Sequence, residues 1–344
     1  MKKLVLSIFA LGLIFVSCSD DDTTDTPVVV SDTDISGTVA DGETLTLSSD
    51  EEYTLSTTLI VENGGTLVLE AGTVVTADAT GANTYIAVKQ GGTITVDGDV
   101  DNPVILTSEN ATAGDWGGLT ICGYASTTAG TDATAEVGGL TYGGSNDEDS
   151  SGSIEYLVVK GSGASINSES QFNGISFYAV GSGTTVNNIA VIDGDDDGVE
   201  FFGGSVSVTN LYLKDNSDDA VDWTEGWDGT ITNTYVSHTV AGFSTAIEAD
   251  GTNGNPTITN FTAVSSVDGT ALQFKKNSGA TITDLYIDGY DTVIEYTYDT
   301  DEDSETVATY DVYVESVKCE DDEDVNGELL DAAGVDYTTF GLNL

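Results

Sequence analysis

An all-β fold, a right-handed parallel β-helix with three short strands per coil, is predicted by three features of the sequence. The first is repetition. Five segments align between Thr185 and Ile287: TVNNIAV from Thr185, SVTNLYL from Ser207, TITNTYV from Thr230, TITNFTA from Thr257 and TITDLYI from Thr281. Their starts lie 22, 23, 27 and 24 residues apart, the period of a solenoid in which each unit buries its face only against its neighbours. The second is strand chemistry, since runs such as Ile189 to Val191 are too short and too β-branched for helices. The third is an Asn at one fixed place in each unit, replaced by Asp284 in the fifth.

The repeat predicts columns. Val186, Val208, Ile231, Ile258 and Ile282 stack inward, one coil above the next. Asn188, Asn210, Asn233 and Asn260 sit where the chain bends between two strands. Asn tolerates the left-handed conformation there, and stacked amides can hydrogen-bond along the column, with Asp284 ending the ladder. A second strand set follows each unit: VEFF, VDW, AIEA, ALQF and VIEY. Its alternation places Glu200, Asp222, Glu248, Gln273 and Glu295 in one outward column, a stripe of mostly like charges at about 4.8 Å spacing.

At the start, Lys2 and Lys3, an apolar run from Leu4 to Val16, then Ser17 and Cys18 describe a bacterial lipoprotein signal over 1–17. Thirteen apolar-dominated residues are too few to span a membrane as a helix. Cleavage after Ser17 leaves Cys18 to carry lipid. The segment Ser19-Asp20-Asp21-Asp22 resembles the acidic tag of surface-exposed lipoproteins of the Bacteroidota. That resemblance implies an outer-membrane lipid anchor and an outward-facing chain. The Thr/Asp-rich stretch to residue 38 reads as a flexible tether, followed by the solenoid over 39–318 and a C-terminal cap over 319–344.

Composition narrows the function. The chain has 344 residues, 59 acids against 8 lysines and no arginine, so its formal net charge is −51, or −53 once Lys2 and Lys3 are removed. Nucleic acid and anionic membrane surfaces are poor partners, because binding them rests on basic patches. Polyanionic glycans are repelled unless a cation bridges them. The acidity fits either a solvated surface in salty water or a calcium role. Cys122 and Cys319 are expected as free thiols, being far apart along a solenoid.

From Glu43 to Glu109 strands come without the Asn ladder, and Gly64-Gly65 and Gly91-Gly92 mark turns. Then follow GDWGGLTICGYA from Gly114, YGGSNDEDSSGSIEYLVVKGSG from Tyr142, NGISFYAVGSGTTVNNIAV, DGDDDGVEFFGG and DDAVDWTEGWDG. In this order the motifs resemble a family of secreted or lipid-anchored β-helix proteins common in the Bacteroidota. The resemblance covers about 43–227. It implies a fold and an envelope location, and no settled activity.

The densest chemistry lies in DGDDDG from Asp193 and DNSDDAVDWTEGWDG from Asp215. Asp193, Asp195 and Asp197 before Gly198 match the front half of a calcium loop, although position twelve is Gly204 and the loop is not an EF-hand. Crowded carboxylates repel, and a hard cation relieves them. Asp193, Asp195, Asp197, Asp215 and Asp218 are thus the candidate Ca2+ ligands; the alternatives are hydrated Asp-rich turns, or a transition metal held through His238, which shares a column with Asp193 and Asp215. For a neutral glycan, Trp116, Trp227 and the outward Tyr212 and Tyr235 would form an aromatic shelf, with Glu200, Asp222 and Glu225 accepting hydroxyl hydrogen bonds. Against this, Trp223 and Trp227 can equally be core.

The β-helix class includes polygalacturonases and polysaccharide lyases. Asp196, Asp218, Asp219, His238 and Lys275 fall on successive coils in an order similar to polygalacturonase motifs. The histidine context is VSHTVAG rather than Gly-His-Gly, and without arginine the usual uronate clamp is missing, so no catalytic residue is singled out. Three classes remain: a surface binding protein using calcium and a neutral glycan, a carbohydrate-active enzyme on the same face, and a structural envelope lipoprotein. At the end, Glu328 to Ala333 reads as a helical turn and Tyr337 to Leu344 as an apolar tail, together capping the last coil against edge aggregation.

Overall fold

The computed structural model describes residues 33–297, 311–315, 318–319, 337–340 and 342. The predicted signal, Cys18, most of the tether and the turn at Glu328 to Ala333 lie outside the described residues. The chain winds as a parallel β-solenoid. One sheet has ten strands, running from Gly37–Val39 through Val199–Phe202 and Val221–Thr224 to Thr292–Thr297. All its pairings are parallel, so every step from strand to strand is one full coil.

The first three coils carry three separate strands each, such as Leu59–Val61, Thr66–Glu70 and Val74–Ala77. From Gly152–Lys160 onward, two of the three faces share one long bent strand. Its first half pairs with Thr93–Asp97 and its second half with Val104–Ser108. The prediction of three strands per coil therefore holds as three faces.

The bend is made by one left-handed residue per coil. Asn188, Asn210, Asn233, Asn260 and Asp284 have φ between 54° and 60°. Each Asn amide donates to the one below: Asn210 to Asn188 at 2.8 Å, Asn233 to Asn210 at 3.0 Å and Asn260 to Asn233 at 2.8 Å. The ladder is the one read from the sequence. Tyr156 opens the same corner with φ 55°, and that was not legible, because tyrosine is no usual left-handed residue.

Inward, Ile154, Val186, Val208, Ile231, Ile258 and Ile282 are in register and at most 2% exposed. Each such side chain contributes about 1.5–3 kcal/mol by leaving water. Gly65 shows why the Gly-Gly turns are glycine: a Cβ there would stand 2.5 Å from the Val39 carbonyl oxygen. The solenoid starts earlier than expected, since Ile35 is buried and Gly37–Val39 pairs with Leu59–Val61.

Two features lie outside the coils. The segment between Leu119–Cys122 and Gly152–Lys160 forms a small antiparallel hairpin, Ala133–Thr134 with Thr141–Tyr142. It packs Ala135, Leu140 and Tyr142 on outward Cys122, Tyr178 and Phe202. The 3-10 helix Tyr337–Phe340 lies sideways against the strand Ser207–Lys214, with Phe340 buried beside Tyr212, Ala190 and Val158. The expected cap over the last coil is corrected in this part: the described tail residues cover the flank of the middle coils, where outward apolar side chains needed cover.

Replacing Asn233 by alanine removes two ladder hydrogen bonds and strains a left-handed residue, at about 1 kcal/mol per bond and about 1–2 kcal/mol for the backbone. We expect Asn233→Gly to recover the backbone share only. Urea unfolding of the three proteins checks this order; equal losses for Ala and Gly would contradict it.

Candidate functional site

Five coils bring an acidic cluster together on the outward face of the ten-stranded sheet. The register stacks Glu200, Asp222, Glu248, Gln273 and Glu295 as the alternation predicted, and sets Ser176 beside Glu200 in the coil before. Outward does not mean solvated here, for Asp222 is 9% and Glu248 7% exposed. The turns before each strand add Asp196 and Asp197 in one coil and Asp218 and Asp219 in the next. Asp197 is buried and accepts from the Asp219 amide at 2.9 Å, which ties the two turns together. Gly198 permits this approach: a Cβ there would meet the Ala220 carbonyl oxygen at 2.6 Å.

Two groups of three carboxylates can each direct one oxygen to within 4.8 Å of the others. One is Asp197, Glu200 and Asp222; the other is Asp196, Asp197 and Asp218. Asn173, from the preceding coil, donates through Nδ2 to Glu200 Oε2 at 2.6 Å and to Ser176 Oγ at 3.1 Å. Its Oδ1 is buried without a partner, as is Asp222 Oδ1. Two orphaned acceptor oxygens beside three acids are a costly arrangement unless something positive stands among them.

The electrostatics agree. Burial first, and then neighbouring acids, push Asp197, Glu200, Asp219 and Asp222 well above the usual carboxylate range. Asp196 rises to about 8 through burial and Asp218. Lys275 is the cation of this face, donating to Glu248. Burial works against its ammonium, but the Glu248 hydrogen bond and the surrounding acids raise its pKa.

The predicted ligand residues are divided by the structure. Asp197 and Asp218 join a group. Asp193 and Asp215 adopt left-handed turns, with φ 56° and 51°, and line a different groove. Asp215 is occupied, accepting from the Thr239 amide and hydroxyl and the Val240 amide. Asp195 is exposed against Gly114. The alternate acids of DGDDDG thus do not converge on one ion, because the turn sends its two ends to opposite sides. Asp196, Glu200, Asp222 and Asn173 were not read as metal-site residues; Asn173 had no sequence signal, since it comes from an irregular turn. Among the described residues, His238 joins neither group of three, and its Nε2 is buried without a partner. The residue is buried, its Nδ1 lies 2.8 Å from the Tyr290 hydroxyl, and its ring stacks on Phe243 at 3.7 Å. Burial lowers its pKa to about 4.

The aromatic shelf is corrected. Trp116 and Trp227 are 1% and 0% exposed, with their indole N–H groups donating to the Lys160 and Val206 carbonyls. Trp227 stacks on Phe201 at 4.2 Å, and Trp223 continues the inward Phe201 column. Tyr212 is covered by Phe340. Glu225 serves as a latch for the hairpin segment, accepting from Thr127 Oγ1 at 2.6 Å and from Tyr142 OH at 2.8 Å. Glycine-flanked tryptophans looked exposed in sequence, yet large aromatic rings fill a wide coil interior better than any other side chain.

A solenoid of parallel coils carrying its acids on one sheet face defines the class as a parallel β-helix protein. A family model described as a pectate-lyase like beta helix domain matches residues 37–337, and the chain belongs to that family. A comparison with curated proteins yields no match. Among solved structures, the catalytic domain of a GH87 alpha-1,3-glucanase variant in complex with tetrasaccharides is 8% identical. That likeness covers 86% of this chain and 69% of the other with a TM-score of 0.20, too low to carry an argument.

The raised carboxyls set a pH dependence. Their folded pKa values lie above the unfolded values near 4, so the metal-free folded state binds more protons. Its stability should therefore fall as pH rises through the folded values, about 8 for Asp196, and be greater near pH 5 than at pH 8. Thermal melting should show this difference, with Glu200→Gln/Asp222→Asn melting higher at pH 8 and rising less toward pH 5. A wild type that loses stability steadily from pH 8 to pH 5 would contradict the assignment.

Proposed function

We propose that the protein is a lipid-anchored, surface-exposed binding protein of the cell envelope that engages a carbohydrate with the help of a bound calcium ion. The observation that carries the reading is the group Asp197, Glu200 and Asp222, with the orphaned oxygens of Asp222 and Asn173 beside it. A hard cation takes six to eight oxygen ligands, from carboxylates, amide oxygens and water or ligand hydroxyls. Three carboxylates and one amide oxygen leave coordination positions over, which sugar hydroxyls suit. Membership of a pectate-lyase-like family supports a carbohydrate-related role, and the absence of arginine favours a neutral glycan over a uronate. The anchor and surface location rest on Lys2, Lys3, the apolar run, Cys18 and the acids after it.

A second reading, a carbohydrate-active enzyme on the same face, is favoured by one observation. Glu200 and Asp222 stand close enough to share a proton, and Asp196 is held up to about 8. A carboxyl kept protonated at neutral pH is what a general acid needs.

Calorimetric titration of calcium into the metal-free full chain tests the first reading. One or two sites are expected, with about 2.7 kcal/mol of added stability at 100 times the Kd. Glu200→Gln and Asp222→Asn should abolish binding, whereas exposed Asp195→Asn should retain it. No heat and an unchanged melting temperature would contradict a cation among the covered acids and leave a structural role. Glycan turnover that disappears in Asp196→Asn would require the enzyme.

A further inference from the structure

The turns that carry the acidic cluster also build a second concavity at their other ends. A groove of about 320 Å³ is lined by Ala111 and Thr112 after one strand, Asp193 and Ser217 from two successive turns, and Val240 and Phe243 from the next. Val240 is 63% exposed at its rim. The Phe243 ring is held in place rather than loose: His238 stacks on it at 3.7 Å, and Tyr290 meets it edge-on at 5.9 Å. Gly269 leaves room for it, since a Cβ there would stand 2.3 Å from Phe243 Cζ. A fixed, partly exposed aromatic ring is the usual platform for the apolar face of a sugar.

The polar side of the groove is equally particular. Asp193 has no hydrogen-bond partner for its carboxylate among the described residues, whereas its neighbour Asp215 is saturated by three donors. Burial and the Asp215 charge raise the Asp193 carboxyl, while Lys214 and Lys160 act the other way. An unclaimed carboxylate facing an aromatic ring asks for hydroxyl donors on a neutral, partly apolar body. From these residues we infer that the groove is a subsite for a neutral sugar ring, with Phe243 stacking on the ring and Asp193 accepting its hydroxyls. The inference deepens the glycan-binding reading and supplies the aromatic contact that buried Trp116 and Trp227 cannot provide.

The test is titration of the full chain with maltotetraose, cellotetraose, laminaritetraose and xylotetraose, read by saturation-transfer NMR and calorimetry, with calcium and with chelator. At least one neutral tetrasaccharide should bind. Phe243→Ala and Asp193→Asn should each weaken it about tenfold, the value of a hydrogen bond to a charged group or of an aromatic contact. Asp193→Asn holds nothing in the fold together, so it remains informative should Phe243→Ala melt early. Binding that survives in chelator and fails in Asp193→Asn would establish the groove while overturning the calcium role. No binding of any of the four at about 10 mM, or binding indifferent to both variants, would overturn the subsite even where calcium binds.

Discussion

The structure depends on one constraint, the register of parallel coils. Each residue stands directly over its counterpart one coil away, at about the strand spacing of 4.8 Å. Whatever one coil does chemically, the next must tolerate at that distance. For Val186, Val208 and Ile231 this makes a continuous core. For the asparagines it makes a chain of amides, in which Asn210 and Asn233 each give one bond and receive one. For acids it makes repulsion, which no rotation of a side chain escapes once Glu200, Asp222 and Glu248 occupy one column.

The second determinant is cover. On an open sheet face the acid column would be screened by water and each carboxylate would ionise normally. Here Asn173 and the tightly stacked turns remove most of that water. The latch from Glu225 to Thr127 and Tyr142 holds the hairpin over the neighbouring apolar stretch. Desolvation then becomes the leading cause of every large carboxyl shift in the cluster. Register brings the acids together, and cover makes their proximity expensive. Apolar residues in the same column would pack more favourably, so the acids do not stabilise the metal-free fold.

Much of this was legible in the sequence because repetition converts a linear pattern into a spatial one. The inward column, the left-handed asparagines and the outward acids follow from counting along five similar segments. Legibility stopped where the chain leaves the repeat. Contacts such as Tyr142 with Glu225 join residues 83 apart, and no period announces them. Trp227, between Gly226 and Asp228, read equally as core or as platform, and its indole fills the coil interior against Phe201. Asp193, Asp195 and Asp197 alternate as calcium ligands do, but the positive φ at Asp193 turns it away from Asp197. The site therefore gathers Glu200 and Asp222 from strands instead of a full set from one loop.

We propose that the covered carboxylates enclose a hard cation. The most direct measurement is anomalous diffraction from crystals of the full chain grown with terbium in place of calcium. A strong peak bounded by Asp197, Glu200 and Asp222 is expected, with the Asn173 side chain turned toward it. A map with no peak there, or with peaks confined to Asp193, Asp195 and Asp215, would contradict it.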